Sequence, residues 1–181
     1  MPSVLVILET GFEEIETVTP VDLLRRAGVE VAVASTTAEK AVTGRSGITL
    51  TADTDLATLG AAAQQMDCIF IPGGPAVKTL RENAQVLDLL KHYKSSGKLI
   101  TAICAAPIVL KSAEVLEPKY TAHFSVKEEL PAIDESSAVV IDGNVITSRG
   151  AGTSVDFGLA MVERLVSKEA ADGVAQAICK M

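Results

Sequence analysis

The sequence predicts a doubly wound α/β fold, in which a mainly parallel sheet carries helices on both faces. Short apolar runs alternate along the chain with segments of helical periodicity, as in β-α-β units. The first run, residues 4–8, contains five apolar residues and no polar face, which is typical of a strand buried on both sides. The composition agrees, because 25 alanines and only six aromatic residues favour closely packed helices on a sheet over an all-β sandwich.

The predicted elements follow one another without long gaps. We expect strands at residues 4–8, 29–34, 68–71, 98–103, 138–141 and 145–147, and helices at 13–27, 84–93, 105–113, 155–166 and 168–178. Residues 42–53 are expected to form a small hairpin. Pro20 predicts a kink or a restart within the first helix, and Gly28 supplies the left-handed residue that ends it. The turn at residues 142–144 (Asp-Gly-Asn) joins the last two strands into an antiparallel edge.

Composition excludes several classes of protein. Residues 1–181 contain no repeat, linker or low-complexity segment, so we expect a single domain. The formal charge of −7 and the lack of a basic cluster argue against nucleic-acid binding. The longest apolar runs are about half of the ~20 residues that span a bilayer. The N-terminus lacks the basic region of a signal peptide, so we expect a cytoplasmic protein that does not enter a membrane.

The sequence also predicts that no metal and no cofactor are required. The three cysteines are far apart and fit neither a disulfide framework nor a zinc site. No Gly-x-Gly-x-x-Gly pattern follows the first strand, which argues against a dinucleotide-binding fold.

Cys104 is the strongest candidate for a reactive residue. It stands between the strand of residues 98–103 and a helix whose first turn holds Pro107. A side chain at such a turn projects above the sheet, as in a nucleophile elbow, and we expect helix N-terminal amides to lower its pKa and to hold an oxyanion. An inert core cysteine is the alternative. Cys68, in mid-strand, and Cys179, near the C-terminus, are expected to be structural or incidental.

Glu16 is the candidate for a carboxylate partner. Ile15 and Val18 are expected to face the sheet, which would bring Glu16 close to the buried side of the first helix. A carboxyl group buried beside a thiolate tends to stay protonated, and it can donate a hydrogen bond to sulfur or move protons. The alternative is a carboxylate that only complements the helix dipole.

Two further segments end at the same predicted edge of the sheet, where parallel α/β folds bind ligands. Gly73 and Gly74 follow the strand of residues 68–71. They either let backbone amides approach a ligand, as half of an oxyanion site, or simply reverse the chain. His123 is either the imidazole partner of Cys104 or a loop histidine, because the members of a triad need only meet in space.

Five ordered motifs resemble those of one known family. They are residues 11–22 (Gly-Phe-Glu-Glu-Ile-Glu-Thr-Val-Thr-Pro-Val-Asp), 24–28 (Leu-Arg-Arg-Ala-Gly), 72–74 (Pro-Gly-Gly), 102–107 (Ala-Ile-Cys-Ala-Ala-Pro) and 147–154 (Thr-Ser-Arg-Gly-Ala-Gly-Thr-Ser). Over essentially its whole length the chain is similar to the ThiJ/PfpI superfamily, and in particular to its Parkinsonism-associated deglycase (YajL-like) branch. The resemblance implies one class I glutamine amidotransferase-like domain, folded as a flavodoxin-like three-layer sandwich.

The same resemblance implies roles for single residues. Cys104 matches the reactive cysteine of the family, Glu16 its protonated carboxylate partner and His123 the histidine beside the pocket. Gly74, next to Gly73, matches a residue whose amide faces the sulfur or a substrate oxygen.

Ala105 matches the second such amide, and it also marks a departure. Protease-type and amidotransferase-type members have histidine there, so its absence argues against a Cys-His peptidase. The chain also has Arg45-Ser46 where close relatives tend to have Ser-Arg. The resemblance further implies a homodimer with the first helix at the interface, where Arg26 approaches the partner's pocket.

The activity that these residues and the resemblance predict is that of a cofactor-independent glyoxalase or protein deglycase. Its substrates would be small α-oxoaldehydes such as methylglyoxal or glyoxal, or the thiols and amines that they have glycated, through a hemithioacetal on Cys104. The alternative is an oxidative-stress sensor or redox-regulated chaperone, in which Cys104 is oxidised to a sulfinate with little turnover. A purely structural scaffold is a third possibility.

Overall fold

Alternating strands and helices confirm the predicted α/β fold along residues 1–180, the part of the chain that this computed structural model describes. The strands are β1 (Ser3–Leu8), β2 (Glu30–Ser35), β3 (Ala41–Thr43), β4 (Thr49–Thr51), β5 (Thr54–Asp55), β6 (Cys68–Ile71), β7 (Leu99–Ile103), β8 (Val139–Asp142) and β9 (Val145–Ser148). The helices are α1 (Glu14–Arg26), α2 (Leu56–Leu59), α3 (Val77–Leu80), α4 (Ala84–Ser95), α5 (Pro107–Ser112), α6 (Ser154–Leu165) and α7 (Lys168–Ala177). Across residues 1–180, no helix is long and apolar enough to cross a membrane.

The strands form a large sheet and a separate hairpin. The sheet has seven strands in the order β5-β2-β1-β6-β7-β9-β8. Its neighbours pair in parallel except for β8, which runs antiparallel to β9 at one edge. Strands β3 and β4 pair with each other as the predicted hairpin. Both the mainly parallel sheet and its antiparallel edge were therefore predictable from the sequence.

Helices cover both faces of the sheet. Successive side chains of a strand point to opposite faces. Leu5 and Ile7 of β1 accordingly join the core beneath α4 and α5, whereas Val4, Val6 and Leu8 join the core beneath α1 and α6. The uninterrupted apolar run of β1 therefore serves two cores, and the architecture is the three-layer sandwich of a flavodoxin-like fold.

The carboxyl ends of the central strands lie along one edge of the sheet. Strands β1, β6, β7 and β9 are parallel neighbours there, and the segments that leave them begin at Glu9, Pro72, Cys104 and Arg149. The Cys104 amide donates to the Ser148 carbonyl at 2.9 Å, which joins the ends of β7 and β9. This edge gathers the segments that the sequence singled out.

Helix α1 differs from the sequence prediction in two ways. It continues through Pro20 as one helix, so the restart, one of the two outcomes that Pro20 predicted, does not occur. Ile15 and Val18 do not face the sheet, because they are 54% and 46% exposed, whereas Glu16 is only 1% exposed. The prediction that Glu16 is buried is correct, but its stated reason is wrong.

A close contact between α1 and α6 explains this orientation. A Cβ on Gly158 of α6 would lie 3.1 Å from Cα of Pro20 and 2.8 Å from Cδ1 of Leu23. The missing side chain therefore lets the two helices approach closely at Pro20. Because α1 packs against α6 as well as the sheet, the face that carries Glu16 is turned inwards.

Replacing Gly158 by leucine is expected to lower the free energy of unfolding by about 1–3 kcal/mol, because the larger side chain overpacks this contact. Gly173→Leu in α7 is the matched control, since a Cβ there would meet no atom within 4 Å. That control is expected to raise the free energy of unfolding by up to about 1 kcal/mol, because glycine is a weak helix former. Urea unfolding measures both values, and equal destabilisation by the two variants would contradict the close α1–α6 packing.

Candidate active site

A cleft of about 490 Å³ opens at the carboxyl edge of the sheet. Cys104, Glu16 and His123 all line it, together with Gly74 and Ala105. Residues from four separate segments of the chain therefore meet in one cleft.

Cys104 occupies a strained position between β7 and α5. Its φ angle is +63°, a left-handed conformation that is rare for a residue with a side chain. Two backbone hydrogen bonds hold it: its amide donates to the Ser148 carbonyl, and its carbonyl accepts from the His123 amide, both at 2.9 Å. This geometry is that of an elbow, although α5 begins only at Pro107.

The two glycines after β6 bring backbone next to the sulfur. A Cβ on Gly73 would lie 2.6 Å from Cβ of Cys104 and would also overlap the Glu16 carboxyl group. Gly74 has a φ of +93°, and a Cβ there would lie 2.7 Å from the Glu13 nitrogen. Only glycine fits at either position without a rearrangement, so the amides of this segment can approach the Cys104 side chain.

Glu16 is buried in the wall of the cleft. Its own amide donates to Oε2 of Glu13, the N-cap of α1, at 2.7 Å. Burial raises the pKa of Glu16 to about 7, and the Glu13 carboxylate adds to the rise, whereas interactions with Cys104 and with the amides of Gly73 and Ala151 oppose it. Oε2 of Glu16 has no hydrogen-bond partner among residues 1–180. Glu16 is therefore a carboxyl group that can gain or lose a proton near neutral pH.

The pKa of Cys104 shifts in the direction opposite to the sequence prediction. Burial and, after it, the neighbouring Glu16 carboxylate raise it to about 12, against the amides of Ala105 and Gly74, which lower it. The prediction of a lowered pKa is therefore wrong, because it counted the amides but not the desolvation and the negative charge. Since one charge disfavours the other, Cys104 and Glu16 titrate as a pair.

His123 is neutral and has one free nitrogen. Its Nδ1 accepts from the Ser125 amide at 3.2 Å and lies 2.8 Å from the Ser125 hydroxyl. The proton of the neutral ring is therefore on Nε2, which has no partner among residues 1–180. Burial lowers the pKa of His123, and the positive charges of Arg149 and Arg45 lower it further.

Arg26 and Arg45 differ in their position relative to the cleft. Arg26 does not line the cleft of its own chain, and its Nε pairs with Asp22 at 2.7 Å on the exposed side of α1. Arg45 lines the cleft from the turn of the β3–β4 hairpin. This place of Arg45 was not predictable from the sequence, because a tertiary contact determines the position of that turn.

The other two cysteines do not line the cleft. Cys68 is buried in β6 beside Thr101, and Cys179 is exposed near the C-terminus. Within the described part of the chain, no cluster of three or more His, Cys, Asp or Glu residues could hold a metal ion.

Known proteins resemble this chain in sequence and in structure. Residues 2–164 match the DJ-1/PfpI family. The Drosophila melanogaster protein dj-1beta is 40% identical over 97% of this chain and 96% of its own length. The Caenorhabditis elegans glutathione-independent glyoxalase DJR-1.2 is 34% identical over 92% of this chain and 90% of its own.

The crystal structure of Drosophila melanogaster DJ-1beta superposes with a TM-score of 0.93 at 39% identity, and the match covers 98% of this chain and 97% of that one. Sequence and fold agree over nearly the whole length, so this chain belongs to the DJ-1/PfpI family.

Proposed function

We propose that this protein is a cofactor-independent glyoxalase and protein deglycase that acts on methylglyoxal or glyoxal and on their early adducts. One observation carries the proposal: the Cys104 thiol stands on a strained elbow beside the Glu16 carboxyl group, whose pKa is raised to about 7 by burial. A nucleophile beside a group that exchanges protons near neutral pH is the machinery this chemistry needs. The similarity to a protein named as a glutathione-independent glyoxalase supports the same conclusion.

The first step forms a carbon–sulfur bond. The ionised Glu16 carboxylate takes the thiol proton as sulfur attacks the aldehyde carbon, and the carbonyl oxygen becomes the hydroxyl of a hemithioacetal. Because the pKa of Cys104 is raised by burial, this proton leaves only when a base beside the sulfur receives it. With an adduct on an amine or a thiol, sulfur displaces that group from the same carbon and releases it unmodified.

The second step moves hydrogen within the bound substrate. Glu16 takes the proton from the carbon attached to sulfur and returns it to the neighbouring carbon. The hydroxyl proton passes from the first oxygen to the second through the enediol, so that the hemithioacetal becomes a thioester of a 2-hydroxy acid. Water then hydrolyses the thioester and restores the thiol. The net reaction adds one water to the oxoaldehyde, and no external oxidant or reductant takes part.

Hydrogen-bond donors around the sulfur stabilise the negative oxygen of these intermediates. The Gly74 and Ala105 amides lower the pKa of Cys104, as N–H groups close to the sulfur do, and they would also be close to an oxygen on the carbon attached to it. In the neutral ring of His123, the free Nε2–H is a further donor on the same cleft wall. The resemblance implies this role for the Gly74 and Ala105 amides, and for His123 it implies a place beside the pocket.

We also propose that the protein acts as a homodimer through α1. Ile15 and Val18 are apolar residues exposed on this helix, and Ile48 is a third on the adjacent hairpin. A groove of about 200 Å³ runs between α1 and the hairpin and is lined by Val18 and Leu50. An interface over these residues would bury apolar side chains. Because Arg26 also lies on α1, it would be brought close to the partner subunit.

The turnover assay follows conversion of methylglyoxal to lactate by purified protein. Cys104→Ala is expected to abolish it, and Glu16→Gln to slow it about 10²–10⁴-fold, the usual contribution of a positioned proton-transfer group. Cys179→Ser is the control for loss of a thiol outside the cleft, and it is expected to match the wild type. Equal rates for Cys104→Ala and the wild type would refute the mechanism.

The interaction between the Glu16 carboxyl group and the Cys104 thiol predicts that the rate at which Cys104 is alkylated depends on pH in a way that Glu16 determines. Above about pH 7 Glu16 is a carboxylate that disfavours the Cys104 thiolate, whereas glutamine is neutral at every pH. Glu16→Gln is therefore expected to react with iodoacetamide about tenfold faster than the wild type at about pH 8, which corresponds to one pKa unit. The two rates should converge in mild acid, where Glu16 is protonated.

The exposed substitution Glu39→Gln serves as the charge control and should follow the wild-type profile. Superimposable profiles of Glu16→Gln and the wild type would show that Glu16 does not act on the sulfur.

A second candidate function, sensing of oxidants, rests on the same amides. The positions of the Gly74 and Ala105 amides beside the sulfur would also let them hold the oxygens of a Cys104 sulfinate, with protonated Glu16 as a third donor. Turnover would then be low, and oxidation of Cys104 would be the signal.

Mild peroxide separates the two candidates by intact-peptide mass. If the protein is a sensor, the Cys104 peptide gains two oxygen atoms at peroxide levels that leave the buried Cys68 unmodified. Gly74→Ala should reduce the yield of the sulfinate, because the φ of +93° at this position disfavours a side chain. Failure of the wild-type Cys104 peptide to gain two oxygens would eliminate the sensor function.

A further inference from the structure

The wall of the Cys104 cleft carries two cations without carboxylate partners. Arg45, Lys78 and Arg81 all line it. Arg81 is occupied, because its guanidinium donates to both oxygens of Glu129 at 2.7 and 3.1 Å. Among residues 1–180, no salt bridge joins Arg45 or Lys78 to a carboxylate.

The carboxylates of the same cleft have other roles. Glu129 pairs with Arg81, and Oε2 of Glu13 accepts the Glu16 amide at the start of α1. Glu16 is buried, and its pKa of about 7 leaves it partly protonated at neutral pH. The charges of Arg45 and Lys78 are therefore not neutralised by direct pairing within the cleft.

The fold holds Arg45 at this place. The buried Glu14 carboxylate accepts the Ser46 amide at 2.7 Å and the Ile48 amide at 3.4 Å, so it fixes the turn of the β3–β4 hairpin. The Arg45 amide donates to the Phe12 carbonyl at 2.8 Å, which ties the turn to the segment before α1. Glu14 is thus a positioning residue for Arg45.

The charge of Arg45 acts inside the cleft. Its guanidinium is one of the two arginine charges that lower the pKa of His123, whose ring lines the same wall as Cys104. A negative group on a molecule bound to Cys104 would lie in the same positive field.

We propose that Arg45 and Lys78 form an anion subsite beside Cys104, and that the preferred carbonyl substrates of this chain carry a carboxylate or a phosphate. The proposal rests on the proposed function, because it names the substrate class of that same site. The guanidinium fork of Arg45 matches the geometry of either anion, and Lys78 adds a mobile point charge. The anionic group takes no part in bond making, so the steps at Cys104 stay as described.

Paired alkylating reagents test the subsite without any turnover. Iodoacetate and iodoacetamide are nearly equal in size and differ in charge, and both transfer their methylene carbon to the thiolate with loss of iodide. The measured quantity is the rate constant for Cys104 with iodoacetate divided by that with iodoacetamide, in a Cys179→Ser background. This ratio, normalised to that of N-acetylcysteine, is expected to fall about fivefold in Arg45→Ala and in Lys78→Ala, the upper range for exposed ion pairs.

Two further variants, a salt series and a competition experiment complete the test. Lys91→Ala removes an exposed cation of α4 outside the cleft and should leave the ratio unchanged. Arg45→Lys keeps the charge but loses the fork, so its ratio should lie between those of the wild type and Arg45→Ala, and high salt should reduce the ratio in the wild type. Acetate and inorganic phosphate, added at constant ionic strength, should slow iodoacetate labelling, and the stronger competitor identifies the preferred anion.

Ratios in Arg45→Ala and Lys78→Ala that equal the wild-type ratio would overturn the subsite, as would a lack of competition by both anions. Methylglyoxal turnover is measured on the same preparations. If the protein does not turn over methylglyoxal but the labelling ratio falls in Arg45→Ala and Lys78→Ala, the proposed function is refuted and the anion subsite is supported. If the protein turns over methylglyoxal but the ratio is the same in the wild type and both variants, the subsite is refuted and the proposed function is supported.

Discussion

The burial of the Glu16 carboxyl group beside the Cys104 thiol is the constraint on which the rest of the site depends. Two groups that both become negative cannot be placed together in a desolvated wall without changing their pKa values, and here both are raised. Helix α1 must turn one face inwards to bring Glu16 there, and the close approach of α6 at Gly158 makes that turn possible. A contact between two helices, made one turn along α1 from Glu16, therefore contributes to the arrangement at the sulfur.

The strained elbow shows how the parallel sheet supports the same arrangement. A left-handed φ is unfavourable for cysteine and persists only where surrounding bonds fix it. The hydrogen bonds to Ser148 and His123 do so, and each belongs to a different segment at the sheet edge. Gly73 then fills the space beside the sulfur with backbone alone. The order of the strands, the left-handed φ of Cys104 and the glycine beside it thus act together to hold the thiol next to the Glu16 carboxyl group.

Local patterns predicted the strands, the long helices and the elbow, because apolar runs and small residues act over a few positions. Short elements such as β5 (Thr54–Asp55), α2 (Leu56–Leu59) and α3 (Val77–Leu80) escaped prediction, since two to four residues carry no periodicity. The orientation of α1 and the direction of the Cys104 pKa shift depend on contacts between segments far apart in sequence. The position of Arg45 was missed for the same reason.

The electrostatic potential in the cleft depends on which charged side chains are paired there, and not on the net charge of the chain. The chain has a formal charge of −7, which argues against partners with a phosphate backbone. A small ligand responds to the field within a few ångströms, however, and salt screens the charges that are farther away. In the cleft, Glu129 is paired with Arg81 and Glu16 is partly protonated, whereas no salt bridge among residues 1–180 joins Arg45 or Lys78 to a carboxylate. An acidic protein can therefore present positive side chains to a small molecule in the cleft that holds Cys104, and those charges would favour an anionic ligand over a neutral one.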